Sequence, residues 1–344
     1  MRGLQKTNTI TLSSLQALTG CVIPESVKLD LEISDIAAIE DATEADVTFL
    51  ANASYSNFAR TTNAGFCLIT SENAHLLPQK TTPLIVSDPY VAIITIVRHY
   101  YRNLEFRTNP SSGISKSATV GENVKLGQNI TIGENVILRG DTIVGDNVII
   151  MPNTLISDSK IGDNCIIHDN CTIMFSTLGQ GCVIKSGSRI GTAGFGFAPN
   201  FKTGEHITIP QIARVLIGAN VNIGANTTID RGFLKDTIIE DNVKIDNLAH
   251  IAHGVRINQG CIIAGQVGIA GSTTLDKMSF CGGQVGISGH LYIAPFTKII
   301  SGSGVIQNIK TPATTVAGYP SMPIFLWHKL NIILKKLASN KTKS

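Results

Sequence analysis

The chain has 344 residues and a formal net charge of +3, and only 15% of its residues are charged whereas 32 are glycine. It lacks a Lys- or Arg-rich opening segment followed by an apolar core, and it lacks an apolar run of about 18 residues, so we expect no signal peptide, no membrane span and a cytoplasmic location. The seven cysteines show no Cys-x-x-Cys spacing, which favours buried free thiols in a reducing compartment.

Residues 1–107 lack a short repeat and are predicted to form a small α/β domain. The SVKLDLEIS segment, residues 26–34, alternates in the way that a strand does. Asp88 followed by Pro89 is a typical helix start, and it precedes the apolar segment YVAIITIVRHYY. We therefore expect a strand early in this domain and a helix near its end.

Three residues at intervals of three, Phe49, Asn52 and Tyr55, lie in a polar and aromatic segment of the same domain. Two aromatic faces are suited to stacking on a base, and a carboxamide offers both a donor and an acceptor to the edge of that base. Aromatic side chains packed beneath a loop are the alternative. From these residues alone, the packing alternative is preferred.

After a linker at residues 108–113, an aliphatic residue recurs at every sixth position through most of the chain. The repeat is most regular from Ile239 to Val305, where Cys281 is the one recurring position that is not aliphatic. Each six-residue unit is a short strand followed by a corner, and the units must stack because none can bury its apolar face alone. The pattern predicts a parallel β-helix with three sides per coil, in which residues 18 apart lie one above another at about 4.8 Å.

Several irregularities interrupt this repeat. The register slips by one residue before Ile161 and again before Leu178, which predicts two five-residue sides. A long glycine-rich loop, GTAGFGFAPNFKTGEHITIPQIARV, follows Ile190, and the segment DRGFLKDT breaks the pattern again after Ile229. Long ordered loops on a rigid scaffold usually carry function, so we expect the glycine-rich loop to do so.

Three histidines, His250, His253 and His290, fall within the most regular part of the repeat. Strand alternation turns His250 outward, and the corner leaves His253 outward too. Asp246 lies one side before His253, and a carboxylate within reach of an imidazole fixes its tautomer and stabilises the imidazolium. Gly271 follows His253 by one coil, where its backbone N–H is placed to stabilise an oxyanion. His290 lies about two coils from His253, roughly 10 Å along the axis by the strand spacing.

The C-terminal segment MPIFLWHKLNIILKKL is amphipathic with a basic face, which predicts a terminal helix. No Asp or Glu follows Asp276, whereas eight lysines do, so this end of the chain suits an acidic partner. We therefore divide the chain into a first domain at 1–107, a β-helix at 108–318 and a helical extension at 319–344.

Four segments carry a family likeness that covers nearly the whole chain: IGTAGFGFAPN, IPQIARVLIGANVNIGANTTIDRG, IDNLAHIAHGVRI and GISGH. They resemble the UDP-3-O-acylglucosamine N-acyltransferases of Gram-negative lipid A biosynthesis. The resemblance implies a homotrimer of left-handed β-helices with active sites between subunits. It implies transfer of a 3-hydroxyacyl group from acyl carrier protein to the 2-amino group of UDP-3-O-(3-hydroxyacyl)glucosamine. No cofactor of its own is implied, since the carrier protein brings the phosphopantetheine, and neither nucleic acid nor a transmembrane segment is involved.

The resemblance also implies roles for individual residues. His253 matches the family's catalytic base, Asp246 its orienting acid and His290 its second histidine, which would hold the sugar nucleotide or assist the oxyanion beside the Gly271 N–H. His250 is expected to shape the pocket. In the first domain, the residues that match the uracil-binding positions of the family are Phe49, Asn52 and Tyr55. The basic terminal helix is expected to dock the acidic carrier protein.

Three other functions stay open. A zinc enzyme of the γ-carbonic anhydrase type also has a histidine-bearing β-helix, but it needs three ligands, and His253 and His290 lack a partner at the right offset. A purely structural or binding solenoid is disfavoured by a separate domain with a base-stacking trio. The O-acylating step of the same pathway is the nearest competitor, but its enzymes lack a first domain of this kind.

Overall fold

A computed structural model describes residues 9–101 and 113–340 of the chain, with side chains up to residue 338. The chain divides into two units, residues 1–110 and 111–344. Each unit has a hydrophobic core of its own. The first unit is α/β, and the second is a β-helix followed by a helix.

The first unit is built on a four-stranded parallel sheet with helices beside it. The strands of this sheet are Asp35–Ile36, Asp46–Phe49, Phe66–Ile69 and Thr82–Ile85. A separate antiparallel pair is formed by Ile10–Thr11 and Glu32–Ile33. The helices are α1 (Leu12–Thr19), α2 (Ser56–Thr61) and α3 (Pro89–Tyr100), and two 3-10 helices span Ala53–Tyr55 and Ser71–Leu76.

Helix α3 begins where the sequence predicts a helix. The Asp88 carboxylate accepts hydrogen bonds from the N–H groups of Tyr90 and Val91, at 2.9 and 3.0 Å. Pro89 occupies the first turn, where its missing N–H costs nothing. One face of the helix then buries Ile93 and Ile96 in the core of the unit.

The strand predicted through residues 26–34 is wrong for most of its length, because only Glu32–Ile33 is a strand. The N–H groups of Val27 and Leu31 donate instead to carbonyls three residues earlier, at Pro24 and Lys28. These local turns occupy the backbone groups that a strand ladder would need.

The second unit confirms the β-helix, with three sides that each form a sheet. Side 1 consists of Gly113–Ile114, Thr131–Ile132, Ile149–Ile150, Ile166–Ile167, Val183–Ile184, Asn222–Ile223, Lys244–Ile245, Ile262–Ile263, Phe280–Cys281, Lys298–Ile299, Thr315–Ala317 and the antiparallel Met322–Pro323. Side 2 consists of Thr119–Val120, Ile137–Arg139, Leu155–Ser157, Thr172–Met174, Arg189–Ala193, Thr228–Arg231, His250–Ile251, Gly268–Ile269, Gly286–Ile287 and Gly304–Val305. Side 3 consists of Lys125–Leu126, Ile143–Val144, Lys160–Ile161, Ser176–Leu178, Val215–Ile217, Thr237–Ile239, Arg256–Ile257, Thr274–Leu275 and Tyr292–Ile293.

The second residue of most of these strands points inward and is buried, so the core is a column of aliphatic side chains on each side. Cys281, which breaks the aliphatic pattern, is fully buried in its column. Ile251 pairs with Ile269 in the next coil, as an 18-residue coil requires. In the earlier coils, Ile156 pairs with Ile173, which confirms the predicted register slips.

The chain turns most corners through a residue in the left-handed region, and asparagine is the commonest non-glycine residue there. Asparagine tolerates a positive φ better than other side chains do. Its carboxamide also bonds to the asparagine one coil away, as Asn135 does with Asn153 at 3.2 Å. The corners are therefore stacked as regularly as the strands.

Two segments leave this regular pattern. The glycine-rich loop contains an antiparallel hairpin, Phe197–Asn200 with Glu205–Thr208, where the sequence predicts only a loop. Helix α4 spans Ile324–Asn340, as the amphipathic C-terminal segment predicts. In the part of the chain that the structure describes, no helix is long and apolar enough to cross a bilayer.

Candidate functional site

On side 2, the outward position is glycine in three successive strands. The outward residue of successive strands is His250, then Gly268, Gly286 and Gly304, each paired with the one before it. Because three glycines in register leave nothing to fill the surface, a groove of about 960 Å³ runs along this side. We call this cavity the side 2 groove. His250 and His253 lie at one end of it, and Tyr319 packs on Gly304 toward the other.

His253 sits at the corner between sides 2 and 3, where it is partly buried between two glycines. A Cβ added at Gly271, one coil later, would lie 2.7 Å from the imidazole atoms Cε1 and Nε2. A Cβ added at Gly194, in the glycine-rich loop, would lie 2.7 Å from the Cβ of His253. Real atoms do not approach that closely, so the imidazole occupies space that exists only because both neighbours lack a side chain.

The backbone N–H of Gly271 donates no hydrogen bond to any residue that the structure describes. Its carbonyl, in contrast, accepts the N–H of His290 at 3.0 Å. The Gly271 peptide is therefore fixed through its carbonyl, while its N–H has no partner among the described residues. A fixed amide donor of this kind is suited to a developing oxyanion.

His250 is exposed but oriented by two neighbours. Its Nδ1 lies 2.7 Å from the hydroxyl of Thr228, which precedes it by one coil on side 2. Its Nε2 lies 3.8 Å from Oδ2 of Asp230. The ring thus bridges a hydroxyl and a carboxylate at the end of the groove, which agrees with a residue that shapes the pocket.

Sequence reasoning missed Asp230. Only 7% of this residue is exposed, and burial raises the pKa of its carboxyl, although the Thr192 hydroxyl, His250 and His253 each oppose the rise. The coil that joins Thr228 to His250 is 22 residues long, because the segment DRGFLKDT inserts extra residues. A count of 18 residues therefore points away from Asp230. One feature of the sequence does point to Asp230. It is an acidic residue that directly follows a core position, Ile229, at the edge of an insertion.

Asp246 lies at the other corner of side 2, before the strand His250–Ile251, whereas His253 lies after that strand. Its carboxylate is exposed and accepts the N–H of Asn247 at 2.7 Å. One chain therefore does not bring Asp246 to the imidazole of His253. A pairing of these two residues stays a prediction, and it needs a second copy of the chain.

His290 lies at the same corner as His253, two coils further along. It adopts φ +61°, and its side chain is exposed. Its bond to Gly271 involves only the backbone N–H. Whether its ring holds the sugar nucleotide or assists the oxyanion stays a prediction. His290 is thus tied to the site through its backbone.

In the first unit, the predicted base-stacking residues have separate surroundings. The ring of Phe49 is partly buried at the end of its strand and lies 6.0 Å from the ring of Tyr90. Tyr55 is 46% exposed and lies 6.1 Å from the ring of Phe58. Asn52 caps the following 3-10 helix, where its Oδ1 accepts both the N–H and the hydroxyl of Ser54. Its carboxamide acceptor is therefore occupied, and the NH₂ group remains for a ligand.

Among the described residues, no group of three His, Cys, Asp or Glu side chains is arranged to hold a metal ion. All seven cysteines are free thiols and buried, as their spacing favours. Burial raises the pKa of several of them, and that of Cys67 rises to about 12. These thiols are therefore core residues, not nucleophiles.

Comparisons with known proteins identify relatives of the chain. Residues 30–99 match the family described as UDP-3-O-(3-hydroxymyristoyl) glucosamine N-acyltransferase, LpxD. Residues 236–271 match the bacterial transferase hexapeptide repeats, and residues 105–194 match the GMPPB C-terminal domain. A UDP-3-O-acylglucosamine N-acyltransferase of Methylobacterium nodulans is 39% identical over 96% of this chain and 94% of its own. One from Sulfurimonas denitrificans is 41% identical over 89% and 93%.

A solved structure supports the fold. The UDP-N-acetylglucosamine acyltransferase of Arabidopsis superposes with a TM-score of 0.52 at 21% identity, covering 60% of this chain and 71% of that one. At that identity, the likeness concerns the β-helix alone. The full-length relatives and the site, and not this structure, therefore indicate the activity.

Proposed function

The chain belongs to the UDP-3-O-acylglucosamine N-acyltransferase family, and from that premise we propose how it carries out the reaction. It transfers a 3-hydroxyacyl group from acyl carrier protein to the 2-amino group of UDP-3-O-(3-hydroxyacyl)glucosamine, a step of lipid A biosynthesis, with His253 as the general base. The observation that supports this proposal best is the imidazole of His253, held between Gly194 and Gly271 at the end of the side 2 groove.

The proposed transfer is a base-catalysed attack of the amine on the thioester. Nε2 of His253 accepts a proton from the 2-amino nitrogen while that nitrogen attacks the thioester carbonyl carbon. The carbonyl oxygen becomes an oxyanion, and the unpaired N–H of Gly271 donates to it. When the intermediate collapses, the carbon–sulfur bond breaks, and the imidazolium returns its proton to the leaving thiolate of the phosphopantetheine.

Substitution of His253 tests its proposed role as the general base. We expect His253→Ala to lower kcat by at least about 10²-fold, because general-base catalysis contributes at least that much. The unfolding temperature should not change, since the ring lies outside the core. His206→Ala, an exposed histidine on the hairpin, is the matched control and should retain activity. Asp246→Asn, assayed alongside, should lose activity if Asp246 of a second copy orients the base. A His253→Ala enzyme with a near wild-type rate would refute the assignment.

The side 2 groove is the proposed path of the donor's acyl chain. It is continuous with the His253 site, and its floor consists of backbone at Gly268, Gly286 and Gly304, so a methylene chain can lie against the coils. Tyr319 packs on Gly304 and narrows the far end. An apolar chain in such a groove gains about 0.8 kcal/mol for each buried methylene.

Filling the groove should change the preferred chain length. No atom lies within 4 Å of a Cβ built on Gly286, so Gly286→Leu fits the fold while it occupies the groove. We expect kcat/KM for a long-chain donor to fall at least about tenfold relative to a short-chain donor, as the lost methylene burial implies. Gly283→Leu, at a corner outside the groove lining, is the control. An equal effect on both donors would place the chain elsewhere.

The first unit is proposed to bind the uracil through Phe49, Asn52 and Tyr55. The partly buried ring of Phe49 is held against Tyr90, which supports a stacking platform. The free NH₂ group of Asn52 supports a bond to an imide carbonyl, while its Oδ1 serves the cap.

A calorimetric titration with UDP tests this site. Phe49→Ala should weaken UDP binding at least about fivefold, because aromatic stacking contributes about 1–3 kcal/mol for each base. Val22→Ala, an exposed apolar residue of the same unit, should bind UDP as the wild type does. Equal affinities for the two variants would mean that the uridine binds elsewhere.

The terminal helix is proposed to dock acyl carrier protein. Helix α4 carries Lys329, Lys335 and Lys336, and no acidic residue follows Asp276 in the chain. A surface of one charge attracts a partner of opposite charge and raises its rate of association.

Charge reversal tests the docking. Lys335→Glu with Lys336→Glu should raise the KM for acyl carrier protein about tenfold, and the effect should shrink at high salt because the attraction is screened. Lys116→Glu with Lys125→Glu, two exposed lysines at the start of the β-helix, makes the same charge change away from α4. If both double variants have the same KM, helix α4 is not the docking surface.

A further inference from the structure

Asp230 is a buried carboxylate beside the two histidines of the side 2 groove. Its Oδ2 lies 3.8 Å from Nε2 of His250. It belongs to the coil before these histidines, on the strand Thr228–Arg231 of side 2. Thr192 pairs with Asp230, and Gly194, two residues after Thr192, packs against His253. A single acidic group thus lies beside His250 and close to the site of His253.

The backbone around Asp230 is built to hold this carboxylate in place. The strand Thr228–Arg231 is longer than most in the β-helix, because its ladder with Arg189–Ala193 continues past a bulge to pair Thr192 with Asp230. The Asp230 carbonyl accepts the Thr237 hydroxyl at 2.6 Å. A functional group on a paired and anchored strand keeps its geometry better than one on a free loop.

Among the described residues, no lysine or arginine forms an ion pair with this carboxylate. The Thr192 hydroxyl donates to Oδ1 at 3.0 Å. The guanidinium of Arg231, the next residue, donates instead to the carbonyls of Gln211 and Gly191, both at 2.8 Å. Within the described residues, the side chain that comes within ion-pair distance of Asp230 is therefore the imidazole of His250, and both His250 and His253 lower the pKa of the carboxyl. A buried carboxylate is costly without a compensating charge, and these imidazoles supply one only when they are protonated.

We propose that Asp230 is a positioning residue for the acyl transfer: its carboxylate orients the ring of His250 and stabilises the imidazolium that forms on His253. The inference rests on the proposed role of His253 as the base. Asp230 contacts no reacting atom and stays ionised throughout. The proton passes from the amine nitrogen to His253 and then to the leaving thiolate, while the nearby negative charge favours the intermediate ion pair.

The pH dependence of kcat/KM tests the positioning role, because loss of a merely structural role of Asp230 would not shift that dependence. Asp230→Asn keeps the shape and an acceptor for Thr192 but removes the charge. Because the imidazolium then loses its neighbouring anion, it is stabilised less, and the acid limb of the profile should move to lower pH. At the optimum, kcat should fall about ten- to a hundredfold, with the KM values nearly unchanged, because the loss arises in the transition state.

Thr192→Val provides a second and opposite readout. The hydroxyl of Thr192 is a hydrogen-bond donor to the carboxylate, and its bond lowers the pKa of Asp230. Without that donor the negative charge of the carboxylate is less compensated and stabilises the nearby imidazolium more, so the acid limb should move to higher pH. Opposite shifts in the two variants are the expected result. If Asp230→Asn does not fold, the Thr192→Val profile decides, and an unmoved acid limb overturns the proposal.

Asp241→Asn is the matched control. Asp241 is an exposed carboxylate that accepts the N–H of Ala219 at 2.7 Å, away from the groove, and its loss should leave the profile of the wild type. A folded Asp230→Asn enzyme with a wild-type profile, combined with an inactive His253→Ala enzyme, would overturn the positioning role alone. An active His253→Ala enzyme would instead overturn the proposed function.

Discussion

Stacked coils hold this protein together, and the site depends on their register. Each side of a coil buries one aliphatic residue on the residue of the coil before it, and the backbone amides bond from coil to coil. Inward positions are therefore nearly invariant in character, whereas outward positions are free to differ. A column of outward residues becomes a surface whose shape is set by one residue in each coil.

The groove and the histidine site both depend on positions where glycine leaves no side chain. Gly268, Gly286 and Gly304 leave a channel along side 2, and Gly194 and Gly271 leave the space that the His253 ring fills. The rigid scaffold keeps these spaces open, because a parallel ladder cannot close over a missing side chain without losing its hydrogen bonds. Positions without side chains thus define this site as much as the functional groups do.

The sequence predicts features that follow from an unbroken period or from a local rule. Gly271 lies against His253 because no insertion separates their coils, and Asp88 caps α3 because the cap needs only adjacent residues. Asp230 escapes the same reasoning, because the extra residues of DRGFLKDT change the length of its coil. Counting sides places Asp246 outward and one side before His253, but it does not show that the strand between them keeps the two side chains apart within one chain.

Long-range contacts override local patterns elsewhere. The alternation at residues 26–34 is typical of a strand, but the carbonyls of Leu29 and Leu31 accept N–H groups from the start of α1, and turns engage the N–H groups of Val27 and Leu31. The glycine-rich loop has no period from which its hairpin could be predicted. The loop brings Gly194 to the His253 ring, a contact that depends on the folded path of the loop.

A crystal structure with UDP-3-O-(3-hydroxyacyl)glucosamine bound would show whether His253 is the base. The proposed mechanism requires the 2-amino nitrogen to lie about 3 Å from Nε2 of His253, the distance that proton transfer needs. It also predicts that the N–H of Gly271 points toward the space that the thioester oxygen will occupy. A glucosamine ring bound beyond the reach of His253, with the imidazole facing no substrate atom, would contradict it.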